Sequence, residues 1–181
     1  MSKTDARVRY TRRVIKESFL SLLREKPVNK ITVKEVCEAA EINRATFYSH
    51  YSDCFALMES IEQEILDAFS KSLGRIGVFD VSLLVEAIYE MVDQHTDACR
   101  VLIFGGASPT VLSRMIALAK EPGIAAWKQQ LSATDAELEM LFTHLSNGLM
   151  HVVVEGYDKY PRQEVVSFID RIVRSSLALF R

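Results

Sequence analysis

The chain has 181 residues, 49% of them hydrophobic and 25% charged; this excludes a disordered polypeptide and suffices for one or two domains with a sizeable core. The net charge of −2 argues against a protein that meets nucleic acid over its whole surface. The charge is unevenly spread, however: residues 1–50 carry 11 Lys/Arg against 6 Asp/Glu, and residues 51–181 carry 11 against 18, a basic head on an acidic body that suits local contact with DNA.

Strand signals are nearly absent, and the spacing predicts an all-α chain of about nine helices. The first should run from about Asp5 to Glu25 on an apolar stripe of Val8, Val14, Ile15, Phe19, Leu22 and Leu23, ended by Lys26-Pro27. Arg7, Arg9, Arg12, Arg13 and Lys16 lie beside that stripe; they form either a solvated face or a DNA-backbone contact. Thr32 with Glu35 spells a capping box, and Ile31 before it is spaced to staple onto Val36. The helix they open should reach about Ala40. Asn43 is the next N-cap, with Ile42 and Phe47 repeating the staple. Ala45, Phe47 and Ile42 can serve packing on the helix so opened, while Arg44, Thr46, Tyr48, Ser49 and His50 supply polar groups. Such a short helix must pack on its neighbours, and its polar side can then enter a major groove. The same pattern also fits an ordinary helical corner with a solvated face.

The run Ile31-Thr32-Val33, followed by Ala40-Glu41-Ile42-Asn43-Arg44-Ala45-Thr46-Phe47-Tyr48-Ser49-His50-Tyr51, resembles the N-terminal domain of the TetR family of transcriptional regulators. The resemblance implies a homodimer whose helix-turn-helix heads bind a palindromic double-stranded DNA operator and whose C-terminal helices bind a small effector. By position it implies that Thr32 meets phosphate, that Asn43, Arg44, Ala45, Thr46 and Ser49 face bases or adjacent backbone, and that Tyr48 and His50 meet phosphate. Two positions depart from the family pattern. Glu41 stands where the turn usually has glycine, and Cys54 stands where many members place a lysine. The phosphate clamp on that flank is therefore expected to be weaker, with Asp53 capping the next helix and its amides doing the work instead.

That fourth helix should start near Asp53, carry Phe55, Met58, Ile61, Ile65 and Phe69, and stop at Gly74. The domains are expected at 1–52, the DNA-binding head, and 53–181, a connecting helix with an effector-binding and dimerisation body; the functional boundary is expected at residues 70–80. Beyond it, helices are predicted over Val81–His95, Asp97–Phe104, Pro109–Lys120 with Ser108 as N-cap, and Gly123–Leu131. Thr134 with Glu137 is another capping box, opening a helix to about Tyr157, and Pro161 starts the last.

The last two predicted helices hold more apolar residues than one face needs, which invites a symmetric partner at Leu141, Leu145, Gly148, Leu149, Val152, Ile169, Ile172 and Val173. Tyr89, Met91, His95, Met115, Trp127, Phe142, His144, Met150 and His151 are candidates for an effector pocket, although such residues more often belong to a core. No metal or cofactor is expected, since His95/Cys99 and His144/His151 lack the usual ligand spacing, and no glycine-rich phosphate loop or nucleophile elbow points to an enzyme. Cys37, Cys54 and Cys99 are odd in number and scattered, which does not suit a disulfide framework. Charges at Lys3, Asp5, Arg7 and Arg9 precede any apolar region, so no signal peptide is expected. The uncharged run Val101–Ser113 has 13 residues, too few for a membrane span. The chain reads as a cytoplasmic, effector-responsive DNA-binding repressor, with a helical protein-interaction or small-ligand-binding module without DNA binding as the competing reading.

Overall fold

A computed structural model describes residues 3–74 and 80–181, and among them there are nine α-helices and no strand. The expected boundary at residues 70–80 falls partly outside the described residues. The helices are α1 (Lys3–Glu25), α2 (Val33–Ala39), α3 (Arg44–Tyr48), α4 (Cys54–Leu73), α5 (Val81–Gln94), α6 (Thr96–Cys99), α7 (Val111–Lys128), α8 (Asp135–Gly156) and α9 (Arg162–Leu177). A π-helical turn over Arg100–Phe104 follows α6, and short 3-10 turns lie at Val28–Lys30 and Ala178–Phe180. None of the described helices is long and apolar enough to cross a membrane.

The chain divides into two compact units. One runs to Ile65 and includes Asp97–Ser108; the other comprises Leu66–Thr96 and Pro109–Arg181. In the first unit Ile15, Phe19 and Leu20 of α1 are buried with Val36 and Cys37 of α2, Phe47 of α3, and Leu57 and Ile61 of α4. Two members of the expected stripes differ. Val8 lies near the free end of α1 and Phe55 in the first turn of α4, and both are exposed, while Leu57 takes a core place instead. Lys16 forms an ion pair with Glu64, which gives this member of the α1 basic set a partner within the unit. In the π-helical turn Gly105 N–H bonds to Arg100 O at 2.8 Å, and a β-carbon on Gly105 would sit 2.8 Å from Val101 O. Only a residue without a side chain closes that turn.

In the second unit α7 replaces the two helices expected over 109–131. Proline inside a helix removes one backbone bond and crowds the carbonyl four residues earlier, yet α7 runs through Pro122. Val111, Met115, Ala119, Gly123 and Trp127 are all buried at four-residue spacing, so burial on both sides of the proline holds the helix together, and Pro122 itself lies on the exposed side. Ser108 is not the N-cap; it is buried, its N–H bonds to Leu102 O at 3.0 Å, and Thr110 holds the cap position. Thr134 and Glu137 make the full capping box at the start of α8. On α9, Val165, Val166, Ile169 and Val173 are the buried face.

The sharpest local constraint lies between α2 and α3. Glu41 has φ of +53°, the left-handed region that favours glycine, and it is the one described non-glycine residue there. Two bonds close the end of α2 around it, Ile42 N–H to Cys37 O at 3.0 Å and Glu41 N–H to Glu38 O at 3.3 Å, the Schellman arrangement. A side chain in this conformation costs on the order of 1 kcal/mol. Glu41→Gly is therefore expected to raise Tm by about 1–4 °C, and Glu41→Val to lower it, in thermal unfolding followed by circular dichroism. A Glu41→Gly protein less stable than the parent would contradict the strain assignment.

Candidate functional site

The helix-turn-helix segment is built by its caps. At the start of α2, Thr32 Oγ1 accepts from Glu35 N–H at 3.3 Å, and Glu35 Oε2 accepts from Thr32 N–H at 2.9 Å and from the Thr32 hydroxyl at 2.8 Å. Lys26 Nζ donates to the other oxygen of Glu35. Led by the Lys26 hydrogen bond and then those from Thr32, these contacts hold the Glu35 carboxyl down at about 2. At α3, Asn43 Oδ1 accepts from Thr46 N–H at 2.7 Å and from the Thr46 hydroxyl at 3.0 Å. The Ser49 hydroxyl donates to Thr46 O at 2.7 Å.

Packing orients this short helix. Phe47 has no exposed surface, and it makes an edge contact with Tyr48 at 5.7 Å and a tilted contact with Tyr51 at 5.9 Å between ring centroids. With Phe47 turned inward, Asn43, Arg44, Ala45, Tyr48 and Ser49 are exposed, and Thr46 and His50 are half-buried. Ala45 therefore stands on the outer side of α3 rather than with the packing residues Ile42 and Phe47. Thr32 is exposed at the start of α2. Asn43, Thr46 and Ser49 use hydrogen-bonding groups to hold the helix itself, whereas Arg44 and Tyr48 extend a guanidinium and a phenol outward. Arginine on a major-groove helix suits guanine edges, and hydroxyls and imidazole suit phosphates.

The α4 flank answers the second departure. Asp53 Oδ1 accepts from Ala56 N–H at 2.8 Å and so caps α4. Cys54 is buried, and burial pushes its thiol up to about 11. Burial also raises the Cys37 thiol and pushes Cys99 up to about 12. At neutral pH none of the three is a thiolate, the form needed for nucleophilic attack or metal binding. Among the described residues no three His, Cys, Asp or Glu side chains are grouped to hold a metal ion.

The second unit encloses an apolar cavity of about 60 Å³. Met115, Trp127, Phe142 and Met150, four of the effector candidates, line it, and the Trp127 and Phe142 rings lie 5.9 Å apart. The other five do not. Tyr89 is buried but stacks on Tyr157 at 5.4 Å beneath the Arg162 guanidinium, and Met91 is buried outside the cavity wall. His95 caps the end of α5, while His144 and His151 are exposed on α8, where His151 Nδ1 lies 2.8 Å from Asn147 O. Helical periodicity cannot tell which side of a bundle encloses a void, and the wall includes residues outside the sequence-derived set: Phe69, Val85, Ile88 and Ser146. No sequence signal marks Ser146, since serine is common in helices.

The expected dimer residues divide as well. Leu145, Ile169 and Val173 are buried within the protomer because α8 and α9 pack there against their own unit. Leu141, Leu149 and Val152 are half-buried, and Gly148 and Ile172 are exposed. A depression beside them is lined by Val152, Tyr160, Glu164, Val165 and Phe168.

No family model matches the chain. Over 59 residues the chain is 32% identical to YxbF of Bacillus subtilis (strain 168), described as an uncharacterized HTH-type transcriptional regulator; the match covers 33% of this chain and 16% of that relative. Among solved structures the fold is similar to that of a TetR transcriptional regulator from Streptococcus agalactiae 2603V, with TM-score 0.68, 21% identity, and 94% of this chain and 97% of the other covered. It is also similar to the dihydroxyacetone kinase operon activator DhaS (TM-score 0.63, 15% identity, 94% and 98% covered). A transcriptional regulator of the TerR/AcrR family from Aquifex aeolicus VF5 gives 0.62 at 14% identity, with 91% and 98% covered.

The Glu35 carboxylate, lying below its ordinary 4.5, adds stability that is full above about 4.5 and is lost as the pH falls through about 2. The Tm difference between the parent and Glu35→Ala is thus expected to shrink between pH 5 and pH 2. An unchanged difference across that window would contradict the cap assignment.

Proposed function

We propose that this chain, whose fold is that of the TetR transcriptional regulators, is a sequence-specific DNA-binding regulator that works as a homodimer on a palindromic operator and is released by a small effector. Residues 1–52 form the DNA-binding part, and residues 53–181 the effector and dimerisation part. The observation that carries this reading is α3: capped by Asn43, anchored by Phe47, and exposing Arg44, Ala45, Tyr48 and Ser49. The basic head supports it, since phosphate neutralisation by Lys and Arg dominates DNA affinity. Thr32, Tyr48 and His50 contact phosphates in this reading; Arg44, with Ala45, Thr46 and Ser49 beside it, meets base edges, and Asn43 acts through the cap.

Two heads meeting one face of DNA must sit about 34–36 Å apart or a multiple of that, which calls for a two-fold partner. Support for where that partner packs comes from Gly148, Val152, Phe168 and Ile172. Phe168 and Ile172 are exposed at 42% and 39% and stand one helical turn apart on α9. A glycine inside a helix costs about 1 kcal/mol relative to alanine, and a β-carbon on Gly148 would meet no group outside its own helix backbone within 4 Å among the described residues. Close approach of a partner helix gives that glycine a physical reason. Repression is the expected mode, by occupation of the operator.

Three outcomes test this reading. Operator binding should weaken steeply as salt rises. Arg44→Ala should lose about 1–3 kcal/mol of discrimination at one operator position per half-site; unchanged preference in a panel of substituted duplexes would remove Arg44 from base reading. Ile172→Asp should shift the protein from dimer to monomer in analytical ultracentrifugation and weaken operator binding in parallel. A dimer of undiminished stability would place the interface elsewhere.

A further inference from the structure

We infer that the cavity of the second unit takes a small, uncharged, mostly hydrocarbon molecule carrying one hydroxyl or carbonyl group, which hydrogen-bonds to Ser146. This rests on the reading of the cavity as the effector site and supplies the chemistry of its ligand.

The wall excludes charge. Phe69, Met115, Trp127, Phe142 and Met150 typify it, and none of the described lining residues is ionisable. A carboxylate or ammonium entering such a site would give up its hydration with no counter-charge to replace it. A nonpolar body loses nothing of that kind and gains burial.

Ser146 supplies the one hydroxyl among the described wall residues, the Trp127 indole N–H being the other polar side-chain group there. Its Oγ is buried and has no hydrogen-bond partner. Several helix hydroxyls elsewhere in the chain bond to the carbonyl four residues back: Thr11 to Arg7 at 2.9 Å, Ser72 to Ala68 at 3.1 Å, Thr143 to Glu139 at 2.8 Å and Ser176 to Ile172 at 2.9 Å. Ser146 makes no such bond, so its hydroxyl is held by nothing and can turn about χ1 toward an incoming group. Water is a poor occupant, because a buried water needs two to four polar partners. A single hydroxyl or carbonyl on an otherwise apolar molecule matches what the wall offers.

Size sets the rest. A cavity of about 60 Å³ is smaller than an engineered apolar cavity of about 150 Å³ that takes benzene. Met115 and Met150, flexible thioethers in the wall, are the residues able to repack around a longer chain. A linear molecule of roughly six carbons is bulkier than the void and enters only as these two side chains repack; a fused ring system would demand a larger rearrangement.

Trp127 is the only tryptophan of the chain and stands in the wall, so the 181-residue protein reports on the cavity directly. Its fluorescence is titrated at pH 7 with 1-hexanol, hexanoate and hexylammonium, and operator retention is measured in the same solutions. Hexanol is expected to give a saturable change, with both ions at least tenfold weaker. Ser146→Ala, which removes an unbonded group, should weaken hexanol about three- to tenfold, and Ser146→Thr should retain binding. Hexanoate or hexylammonium binding as tightly as hexanol, no saturable change with hexanol, or unaltered affinity in Ser146→Ala would each overturn the inference. Hexanol that saturates Trp127 without releasing operator leaves the ligand chemistry standing and removes the effector reading. Release by hexanoate alone does the reverse.

Discussion

Helices of seven and five residues do not persist in water unaided, because nucleation is costly and few backbone bonds form in return. The arrangement of α2 and α3 therefore depends on the burial of Phe47 and on the caps at Thr32 and Asn43, with the chain bent sharply at Glu41. Each of these fixes a different coordinate. The caps set where the helices start, the left-handed turn sets the angle between them, and Phe47 sets the rotation of α3 about its axis. With that rotation fixed, Arg44 and Tyr48 can only face outward. The strain at Glu41 and the cap bonds of Asn43, Thr46 and Ser49 are thus parts of one device for presenting a guanidinium on a rigid surface.

Much of this head was legible in the sequence, because capping boxes and staples act over three to five residues and leave a local signature. Thr32–Glu35, Asn43 and the stop of α4 near Gly74 are of that kind. The bend at Glu41 was legible for a different reason, the absence of a glycine where the resembling family has one. Elsewhere, longer-range packing overrode local signals. Pro122-Gly123 reads as a helix break, yet the buried row from Val111 to Trp127 carries α7 through it. Ser108-Pro109 reads as a helix start, but the serine is drawn into the closing turn after the π-helix. Val8 and Phe55 fit apolar stripes that the core does not reach.

In the second unit the sequence indicates which helices are apolar, and it is silent on how that surface is shared. The structure assigns Leu145, Ile169 and Val173 to the protomer core and leaves Gly148, Phe168 and Ile172 outside it. A void likewise has no sequence signature: four of nine pocket candidates line the cavity, while Tyr89 is held in a separate cluster with Tyr157 and Arg162. Ser146 shows the limit most plainly, since its interest lies in a bond it does not make.

Selection of bound duplexes from a random pool with the 181-residue protein is the most direct test of DNA reading by α3. Enrichment of a two-fold symmetric site whose half-site centres lie about 10 base pairs or a multiple of that apart is expected, with enrichment lost at high salt. Recovery of no preferred sequence would contradict that reading and favour a helical corner that serves only as scaffold.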